Sequence, residues 1–374
     1  MRICLPTGIF PPDIGGPASY VPRIAKALVE RGHAVEVITL SDAPHDDTPY
    51  PFVVQRIPRG MARLPRMAKT IARIAQAARR AEVVFANGVF VEAVLARALV
   101  RRPLVMKVVG DWAWERATLN RQTEDGLEDF QTRRQKRRVE AVKQLRAWVT
   151  RRAQHVIVPS QYLADIVCGW GVAPERVSVI YNAPDLAALQ NVDLPPFNGM
   201  TLATVGRLVP HKGIVPLLRA ISTIPNVRLL IAGTGPSRNA LEKETADLGL
   251  QSRVIFLGTL SREAVAGLLR QADLMVLNST YEGLPHVVLE AFAAGTPVLA
   301  TRVGGTPEVV EHDVSGWLIP SGDEAELGRA IRLLLEDPAL RDRLREGGRR
   351  MLRQRFRWET LVEQTLAVLE GHTK

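Results

Sequence analysis

Residues 201–232 read TLATVGRLVPHKGIVPLLRAISTIPNVRLLIA, and this stretch decides the fold. Two short apolar runs, Thr201–Gly206 and Arg228–Ala232, stand on either side of a segment with helical patterning. A strand, a crossover helix and a second strand in this order are the building unit of a parallel sheet. The stretch therefore predicts an α/β fold.

The same alternation of short apolar runs and helical patterns extends through both halves of the chain. Thirteen runs are predicted as strands, and several are apolar on both faces, as buried parallel strands require. In the first half they are Ile3–Pro6, Ala34–Leu40, Phe52–Ile57, Val83–Ala86, Leu104–Val109, His155–Pro159 and Val177–Tyr181. In the second half they are Thr201–Gly206, Arg228–Ala232, Val254–Leu257, Leu274–Leu277, Pro297–Thr301 and Gly316–Ile319.

The chain length of 374 residues suits two domains rather than one. A break is predicted near Asn182–Asn198, where three prolines interrupt the pattern. We expect two doubly wound, Rossmann-like domains facing each other across a cleft, formed by residues 1–184 and 198–356. A second break at Phe356–Trp358 indicates that the last helix, about residues 358–374, packs back on the first domain.

Positive charge is concentrated in the first half of the chain. The net charge is +10, and residues 1–186 contain 28 Lys and Arg against 18 Asp and Glu, whereas the counts from residue 187 onward are 21 and 21. Two segments, Arg56–Arg80 and Arg133–Arg152, concentrate the excess. Solvated helix faces would account for single charges, but an imbalance across a whole domain favours an anionic partner such as lipid headgroups or an anionic acceptor. Nucleic acid is not expected, because the basic runs lack interleaved aromatic residues for base stacking.

Cysteine content and hydropathy predict a cytoplasmic protein. Cys4 and Cys168 are the only cysteines, so a disulfide framework is not expected. Met1–Pro6 is typical of a buried strand rather than a signal peptide, and no long uncharged stretch predicts a membrane-spanning helix. With the basic first half, these features predict peripheral association at the inner face of the cell membrane.

A glycine motif, Asp13-Ile14-Gly15-Gly16-Pro17, follows the first predicted strand, and a helix is expected from about Ala18. Glycines let backbone N–H groups approach a ligand, and a helix N-terminus adds partial positive charge. A plain strand-to-helix turn is the alternative interpretation.

A second motif, Gly206-Arg207-Leu208-Val209-Pro210-His211-Lys212-Gly213, follows strand Thr201–Gly206. Ligands of parallel sheets bind at the carboxyl ends of the strands, where Arg207 and Lys212 are expected to lie. Arginine can contact two phosphate oxygens at once, and lysine adds a compact charge. The motif therefore favours a diphosphate site over a surface loop with two solvated cations.

The third motif is Glu282-Gly283-Leu284-Pro285-His286-Val287-Val288-Leu289-Glu290. Glu282 follows the strand Leu274–Leu277, Pro285 is predicted as the first residue of a helix, and Glu290 lies just over one turn inside it. The free N–H groups of the first turn can hold phosphate or sugar oxygens, and carboxylates pair well with vicinal hydroxyls. A capped helix with two exposed acids would not explain all of these residues together.

The motifs resemble those of the retaining GT-B glycosyltransferases of family 4, also called glycosyl transferases group 1. The resemblance extends over essentially the whole chain and is most specific in the second half. It is carried by Gly15–Pro17, Gly206-Arg207, Lys212-Gly213, Ile231–Pro236, Tyr281–Pro285, Glu290–Val298 and Gly304–Glu308.

The resemblance implies a donor site in the second domain and an acceptor site in the first. Arg207 and Lys212 would bind the donor diphosphate, Glu290 the ribose, and Glu282 the transferred sugar. Phe256–Gly258 would line the base site. The implied donor-binding residues are Gly16, Gly206, Gly258, Gly283, Leu284, His286, Val287, Val288 and Glu290.

One position departs from the family pattern. The family often has a histidine that contacts the donor sugar after the strand corresponding to Leu104–Val109, but here the chain continues with Gly110 and Asp111. Asp111 is the nearest polar candidate and is predicted as a catalytic residue, with Glu115 second. His155 begins a strand and is expected to be structural.

The absence of an Asp-x-Asp triplet predicts a metal-independent reaction with no cofactor. The resemblance implies retaining transfer from a UDP- or GDP-sugar to a hydroxyl acceptor, which could be a glycan, a glycolipid or lipid-linked glycan, or a small molecule. Two alternatives share the architecture, namely a nucleotide-sugar epimerase and a non-catalytic nucleotide-sugar binding protein.

Overall fold

The computed structural model describes residues 1–13, 15–42, 46–184 and 190–373. The chain divides into two compact units. Unit 1 comprises Met1–Ile180 and Glu359–Lys374, and unit 2 comprises Tyr181–Trp358.

Unit 1 contains a seven-stranded parallel sheet covered by helices. Its strands are β1 Arg2–Thr7, β2 Ala34–Leu40, β3 Val53–Ile57, β4 Val83–Ala86, β5 Leu104–Lys107, β6 His155–Val158 and β7 Val177–Val179. They are arranged in the order β3-β2-β1-β4-β5-β6-β7. The helices between them are α1 Gly16–Glu30, α2 Arg63–Arg80, α3 Phe90–Val100, α4 Trp112–Leu119, α5 Leu127–Thr132, α6 Arg137–Arg151 and α7 Gln161–Gly169. Strands β4, β5 and β6 are buried along their whole length, and all of their residues except Lys107 and His155 are apolar.

Unit 2 contains a six-stranded parallel sheet. Its strands are β8 Met200–Val205, β9 Val227–Ala232, β10 Val254–Gly258, β11 Leu274–Leu277, β12 Val298–Thr301 and β13 Trp317–Ile319. Their order, β10-β9-β8-β11-β12-β13, is that of a Rossmann sheet. The helices are α8 Ile214–Ser222, α9 Arg238–Asp247, α10 Arg262–Gln271, α11 His286–Ala294, α12 Thr306–Val309, α13 Glu324–Glu336 and α14 Pro338–Arg355.

The last helix, α15 Trp358–Glu370, belongs almost entirely to unit 1. It follows α14 after the short break at Phe356-Arg357. Leu361, Val362 and Leu369 are buried, so the helix contributes to the apolar interior of unit 1 although it is the last element of the chain.

The predicted fold class is confirmed, and each of the thirteen strands begins and ends within two residues of its predicted bounds. Helix α1 begins at Gly16, two residues before the predicted start. The division between the units falls after Ile180, ahead of the predicted break, because the Tyr181 hydroxyl already bonds to Glu308 of unit 2 at 3.0 Å. Residues 185–189 of that break and Ile14 of the glycine motif lie outside the described residues.

Candidate functional site

The topology of unit 2 brings two of the sequence motifs together. Strand order reverses between the neighbouring strands β8 and β11, and a crevice opens at the carboxyl ends of the strands at such a point. Residues 206–213 directly follow β8, and residues 278–285 directly follow β11. The Arg207–Lys212 motif and the Glu282–Glu290 motif are therefore neighbours, although about 70 residues separate them in the chain.

An ion pair between Lys212 and Glu282 lies at the centre of this crevice. The Lys212 Nζ atom is 2.6 Å from Glu282 Oε1, and the hydroxyl of Ser279 donates to the same oxygen at 2.6 Å. Glu282 is only 8% exposed, and its backbone carbonyl accepts from the Gly305 N–H at 2.9 Å. Because an ammonium group has three N–H donors, Lys212 can pair with Glu282 and still donate to an anionic ligand. The pair thus fixes the position of a cation in the crevice.

Arg207 extends the positive charge of the crevice. Its side chain is exposed, and among the described residues no carboxylate forms an ion pair with it. It follows β8 directly, in a loop where the Leu208 N–H donates to the Thr234 carbonyl at 2.9 Å. The loop is held by its backbone, so the guanidinium group remains available for a phosphate.

His211 lies between the two cations of this loop. Burial lowers the pKa of His211, the Lys212 and Arg207 charges lower it further, and Glu282 opposes them. The imidazole is therefore neutral at pH 7. The backbone carbonyl of His211 accepts from the Thr280 N–H at 2.8 Å, and this hydrogen bond joins the loop after β8 to the loop after β11.

Two glycines allow the loops of the crevice to approach each other closely. Gly213 has a φ of 60°, and a Cβ atom there would lie 1.9 Å from the Asn278 carbonyl oxygen. Gly233 has a φ of 134°, and a Cβ atom there would lie 1.8 Å from the Gly206 carbonyl oxygen. Only glycine fits either position, and the crevice depends on this close packing of backbone.

Helix α11 begins one residue later than predicted. Pro285 is the N-cap, because its ψ of 95° is extended rather than helical, and His286 is the first helical residue. The Val288 N–H donates to the Pro285 carbonyl at 3.1 Å, so this first-turn N–H group is already engaged within the helix.

The predicted donor-binding residues of α11 differ in what their side chains can reach. Leu284 and Val288 are buried in the apolar core of unit 2, so they can offer only backbone groups to a ligand. Glu290 is half-buried on α11, and His286 is exposed. The structure therefore brings Gly206, Arg207, Lys212, Glu282 and the start of α11 to one crevice.

The predicted base-site residues Phe256–Gly258 form the carboxyl end of strand β10. Phe256 and Gly258 are among the last three residues of β10, and the Gly258 carbonyl accepts from the Gly233 N–H at 2.7 Å. The Arg238 guanidinium lies 4.7 Å from the centroid of the Phe256 ring. Sequence reasoning missed Arg238, whose signal was its place three residues after Gly235. It also missed Ser279, whose signal was a hydroxyl immediately after a buried strand.

Asp111 is engaged in contacts within unit 1. It is fully buried and caps α4, accepting from the N–H groups of Ala113 at 2.9 Å and Trp114 at 3.2 Å. Its other oxygen pairs with Arg146 and accepts from the Gln131 amide at 2.9 Å. These contacts give Asp111 a structural role, and the catalytic role expected for it stays a prediction.

Three other residues of unit 1 that the sequence analysis discusses, Glu115, His155 and Gly16, take no part in the hydrogen bonds of Asp111 described above. Glu115 is exposed on α4. His155 begins β6, as expected, and its Nε2 atom lies 2.8 Å from the Ser178 hydroxyl. Gly16 is the first residue of α1, and a Cβ atom there would meet no atom of the described residues within 4 Å. Open space at Gly16 is compatible with a ligand approaching this helix.

Two further features concern the described residues as a whole. They contain no group of three or more His, Cys, Asp or Glu side chains that could hold a metal ion. None of their helices is both long enough and apolar enough to cross a membrane.

Family models match both units of the chain. Residues 14–188 match Glycosyltransferase Family 4, and residues 194–351 match Glycosyl transferases group 1.

Curated relatives include a lipopolysaccharide core biosynthesis glycosyltransferase, LpsD, of Rhizobium meliloti, which is 34% identical over 54% of this chain and 59% of its own length. The chain spans about half to three fifths of the length of the curated relatives that it matches at 32–34% identity. Glycogen synthase of Mycobacterium tuberculosis is 27% identical over 98% of this chain and 94% of its own length.

Solved structures resemble the chain over its full length. Anabaena Alr3699/HepE in complex with UDP-glucose is 25% identical, with a TM-score of 0.80 over 99% of this chain and 100% of that one. Sucrose-phosphate synthase from Thermosynechococcus elongatus has the same TM-score at 22% identity, covers 99% of this chain and 98% of its own, and supports the fold alone.

Proposed function

Because the chain belongs to the GT-B glycosyltransferases of family 4, we propose that it transfers a sugar from a nucleoside-diphosphate sugar to a hydroxyl acceptor. The observation that carries this proposal is the crevice at the β8–β11 reversal, with the Lys212–Glu282 pair and the exposed Arg207. The proposed reaction retains the configuration of the sugar and requires neither a metal nor a cofactor.

Arg207 and Lys212 stabilise the departing nucleoside diphosphate in this proposal. Negative charge develops on the leaving group, and fixed cations aimed at developing charge commonly supply the largest catalytic contribution. Helix α11 adds its first-turn N–H groups and the positive end of its dipole. Glu290 binds the ribose hydroxyls and Glu282 the transferred sugar. The acceptor attacks from the side of the leaving group, and the β-phosphate takes the acceptor's proton, so no protein nucleophile is needed.

The donor base is uridine or guanosine, and uridine is favoured by the UDP-glucose complex of the structurally similar Anabaena protein. Thermal unfolding with UDP, GDP, ADP and their sugar conjugates, each measured with and without EDTA, tests this choice. A nucleotide at 100 times its dissociation constant should stabilise the protein by about 2.7 kcal/mol, a shift of roughly 5–10 °C. No shift with any nucleotide would contradict the proposal, and a shift lost in EDTA would contradict metal independence.

A transfer assay with the sugar conjugate of the nucleotide that binds distinguishes the transferase from the two alternative functions. Sugar transfer that requires an added acceptor supports the transferase. Conversion of the donor sugar without an acceptor would identify an epimerase, and binding without either reaction would identify a non-catalytic nucleotide-sugar binding protein.

The acceptor in this proposal is a glycolipid or lipid-linked glycan, reached from the cytoplasmic face of the membrane. Helix α2 has basic residues on its exposed face, no acidic residue, and among the described residues no ion pair. These exposed cations are Arg63, Lys69, Arg73, Arg79 and Arg80. Leu64 on α2 is 72% exposed, and Leu99 on the adjacent helix α3 is 67% exposed. Cations interspersed with exposed apolar residues suit an anionic lipid surface.

Reversing two of these charges should weaken binding to anionic vesicles. Each basic residue at a charged membrane contributes about 1 kcal/mol, so the Lys69→Glu/Arg73→Glu variant should bind at least roughly 30-fold more weakly in sedimentation at low salt. The Arg270→Glu/Arg350→Glu variant changes the net charge equally on exposed sites of unit 2 and should bind like wild type. Equal losses in both variants, or wild-type binding that salt does not weaken, would contradict a membrane surface on α2.

A further inference from the structure

The two carboxylate oxygens of Glu282 have different surroundings. Oε1 accepts hydrogen bonds from the Lys212 ammonium group and from the Ser279 hydroxyl, each at 2.6 Å. Oε2 forms no hydrogen bond within the part of the chain that the structure describes, and it is not one of the fully buried polar atoms that lack a partner. An ionised carboxylate has about four lone-pair sites on its two oxygens. Oε2 is therefore the oxygen that remains open to a ligand in the crevice.

The carboxyl end of the sheet fixes the position of Ser279. This residue lies two positions beyond the end of β11 and is fully buried. Thr301, the last residue of the neighbouring strand β12, donates its hydroxyl to the Ser279 backbone carbonyl. A held backbone restricts a serine hydroxyl to three staggered positions, and the one that is occupied directs it at Oε1 of Glu282.

Lys212 alone does not fix the orientation of the Glu282 carboxylate. The last side-chain torsion of a glutamate is broad, and a lysine ammonium group is a compact charge on a flexible stem. In the proposed function Lys212 also donates to the diphosphate, so its position depends on the phosphate as well as on the carboxylate. The Ser279 hydroxyl has no hydrogen-bond partner other than Glu282 among the described residues. Ser279 is therefore the donor that serves the carboxylate alone.

We infer that Ser279 is a positioning residue, which holds Glu282 through Oε1 so that Oε2 accepts a hydrogen bond from a hydroxyl of the transferred sugar. This inference rests on the proposed function and deepens it. Glu282 contacts the sugar in this scheme, whereas Ser279 acts only through Glu282. Loss of the Ser279 hydroxyl should therefore weaken recognition of the sugar and leave recognition of the diphosphate intact.

Titration calorimetry on the full-length protein tests this separation. UDP and GDP are titrated into wild type first, followed by UDP-glucose, UDP-galactose, UDP-N-acetylglucosamine and GDP-mannose. The sugar conjugate that binds most tightly is then used for the variants. We expect Ser279→Ala to bind this conjugate about 2–10-fold more weakly, which is the usual effect of losing one hydrogen bond. The parent nucleotide should bind within about twofold of its wild-type affinity.

Two further variants control this measurement. Ser315→Ala is the matched control, because Ser315 is equally buried in unit 2 and its hydroxyl accepts from the Glu311 N–H at 2.9 Å. It should bind the nucleotide and its sugar conjugate like wild type. Ser279→Cys retains a side chain of similar size with a weaker donor and should show the same selective loss, so the result does not depend on the folding of one variant.

Analogues of the chosen conjugate that each lack one sugar hydroxyl distinguish positioning from a merely structural role. For the analogue that lacks the hydroxyl bound by Oε2, Ser279→Ala should have no further effect. An equal loss with every analogue, an equal loss for the nucleotide and its conjugate, or unchanged affinity for the conjugate would overturn the inference. Failure of both UDP and GDP to bind wild type would instead reject the proposed function, and this role with it.

Discussion

The Arg207→Ala variant is expected to turn over the nucleotide sugar about 10²–10³-fold more slowly than wild type. This is the usual effect of removing one hydrogen-bond donor that stabilises the charge developing in the transition state. Arg207 is exposed and follows β8, and among the described residues its guanidinium forms no ion pair. Its removal therefore leaves no buried partner uncompensated, and the thermal stability of the free protein should stay close to wild type. Steady-state kinetics should place most of the loss in kcat, because the charge on the diphosphate increases as the glycosidic bond breaks.

Arg270→Ala is the matched control for this measurement, since Arg270 is an exposed arginine at the end of α10 in the same unit. It should retain wild-type turnover. Arg207→Lys should give an intermediate rate, because lysine keeps the charge but loses the fork of two N–H donors. If Arg207→Ala kept more than a tenth of wild-type kcat, the diphosphate would have to be stabilised elsewhere. Lys212→Ala is a less specific probe, because it also leaves the buried Glu282 carboxylate without its partner.

The Gly233→Ala variant should be among the most destabilised single substitutions in unit 2. A Cβ atom at this position would lie 1.8 Å from the Gly206 carbonyl oxygen, and the φ of 134° is unfavourable for any side chain. Backbone strain and overpacking together cost about 3–5 kcal/mol, which lowers Tm by on the order of 10 °C. Because Gly206 begins the Arg207 loop, nucleotide binding should be lost even at temperatures where the variant is folded.

The Gly322→Ala variant is the control that separates the cost of the steric contact at Gly233 from the cost of its backbone conformation. Gly322 has a φ of 82°, but a Cβ atom there would meet none of the described atoms within 4 Å, so only the conformational cost of about 1–2 kcal/mol applies. Differential scanning calorimetry of the two variants measures the difference. Equal losses of Tm would show that the Gly233–Gly206 contact does not restrict the site.

The sequence was sufficient to predict the strands and the place of the Arg207 and Glu282 motifs in the fold. Buried parallel strands such as β4 and β11 are short and wholly apolar, so their bounds can be read from composition alone. The motifs at Arg207 and Glu282 follow directly after strands, and parallel strands all end at the same edge of the sheet. Their common location is therefore a consequence of topology that requires no knowledge of side-chain positions.

Pairings between distant side chains could not be predicted in the same way. The Lys212–Glu282 and Asn182–His286 contacts join residues 70 and 104 positions apart, and they depend on rotamers and loop paths that no local pattern encodes. The Pro285 N-cap differs from the prediction by one residue, because proline suits both the first helical position and an extended cap.

The sequence indicates Lys107 only as part of the predicted strand Leu104–Val109. It is fully buried, with Nζ 4.2 Å from the centroid of the Tyr20 ring, and burial lowers the pKa of Lys107 to about 7. A lysine near the end of a predicted strand is equally compatible with a solvated side chain, so its burial depends on the packing of α1 and could not be foreseen.

The return of the chain to unit 1 has a consequence for biosynthesis. Unit 2 is inserted between two parts of unit 1, and α15, which contributes buried leucines to unit 1, is made after unit 2. A ribosome adding 5–20 residues per second spends roughly 10–35 s on unit 2 after the strands of unit 1 have emerged. During that interval unit 1 lacks its closing helix and keeps apolar surface open to the solvent. Unit 1 therefore completes its folding only after unit 2 has been synthesised.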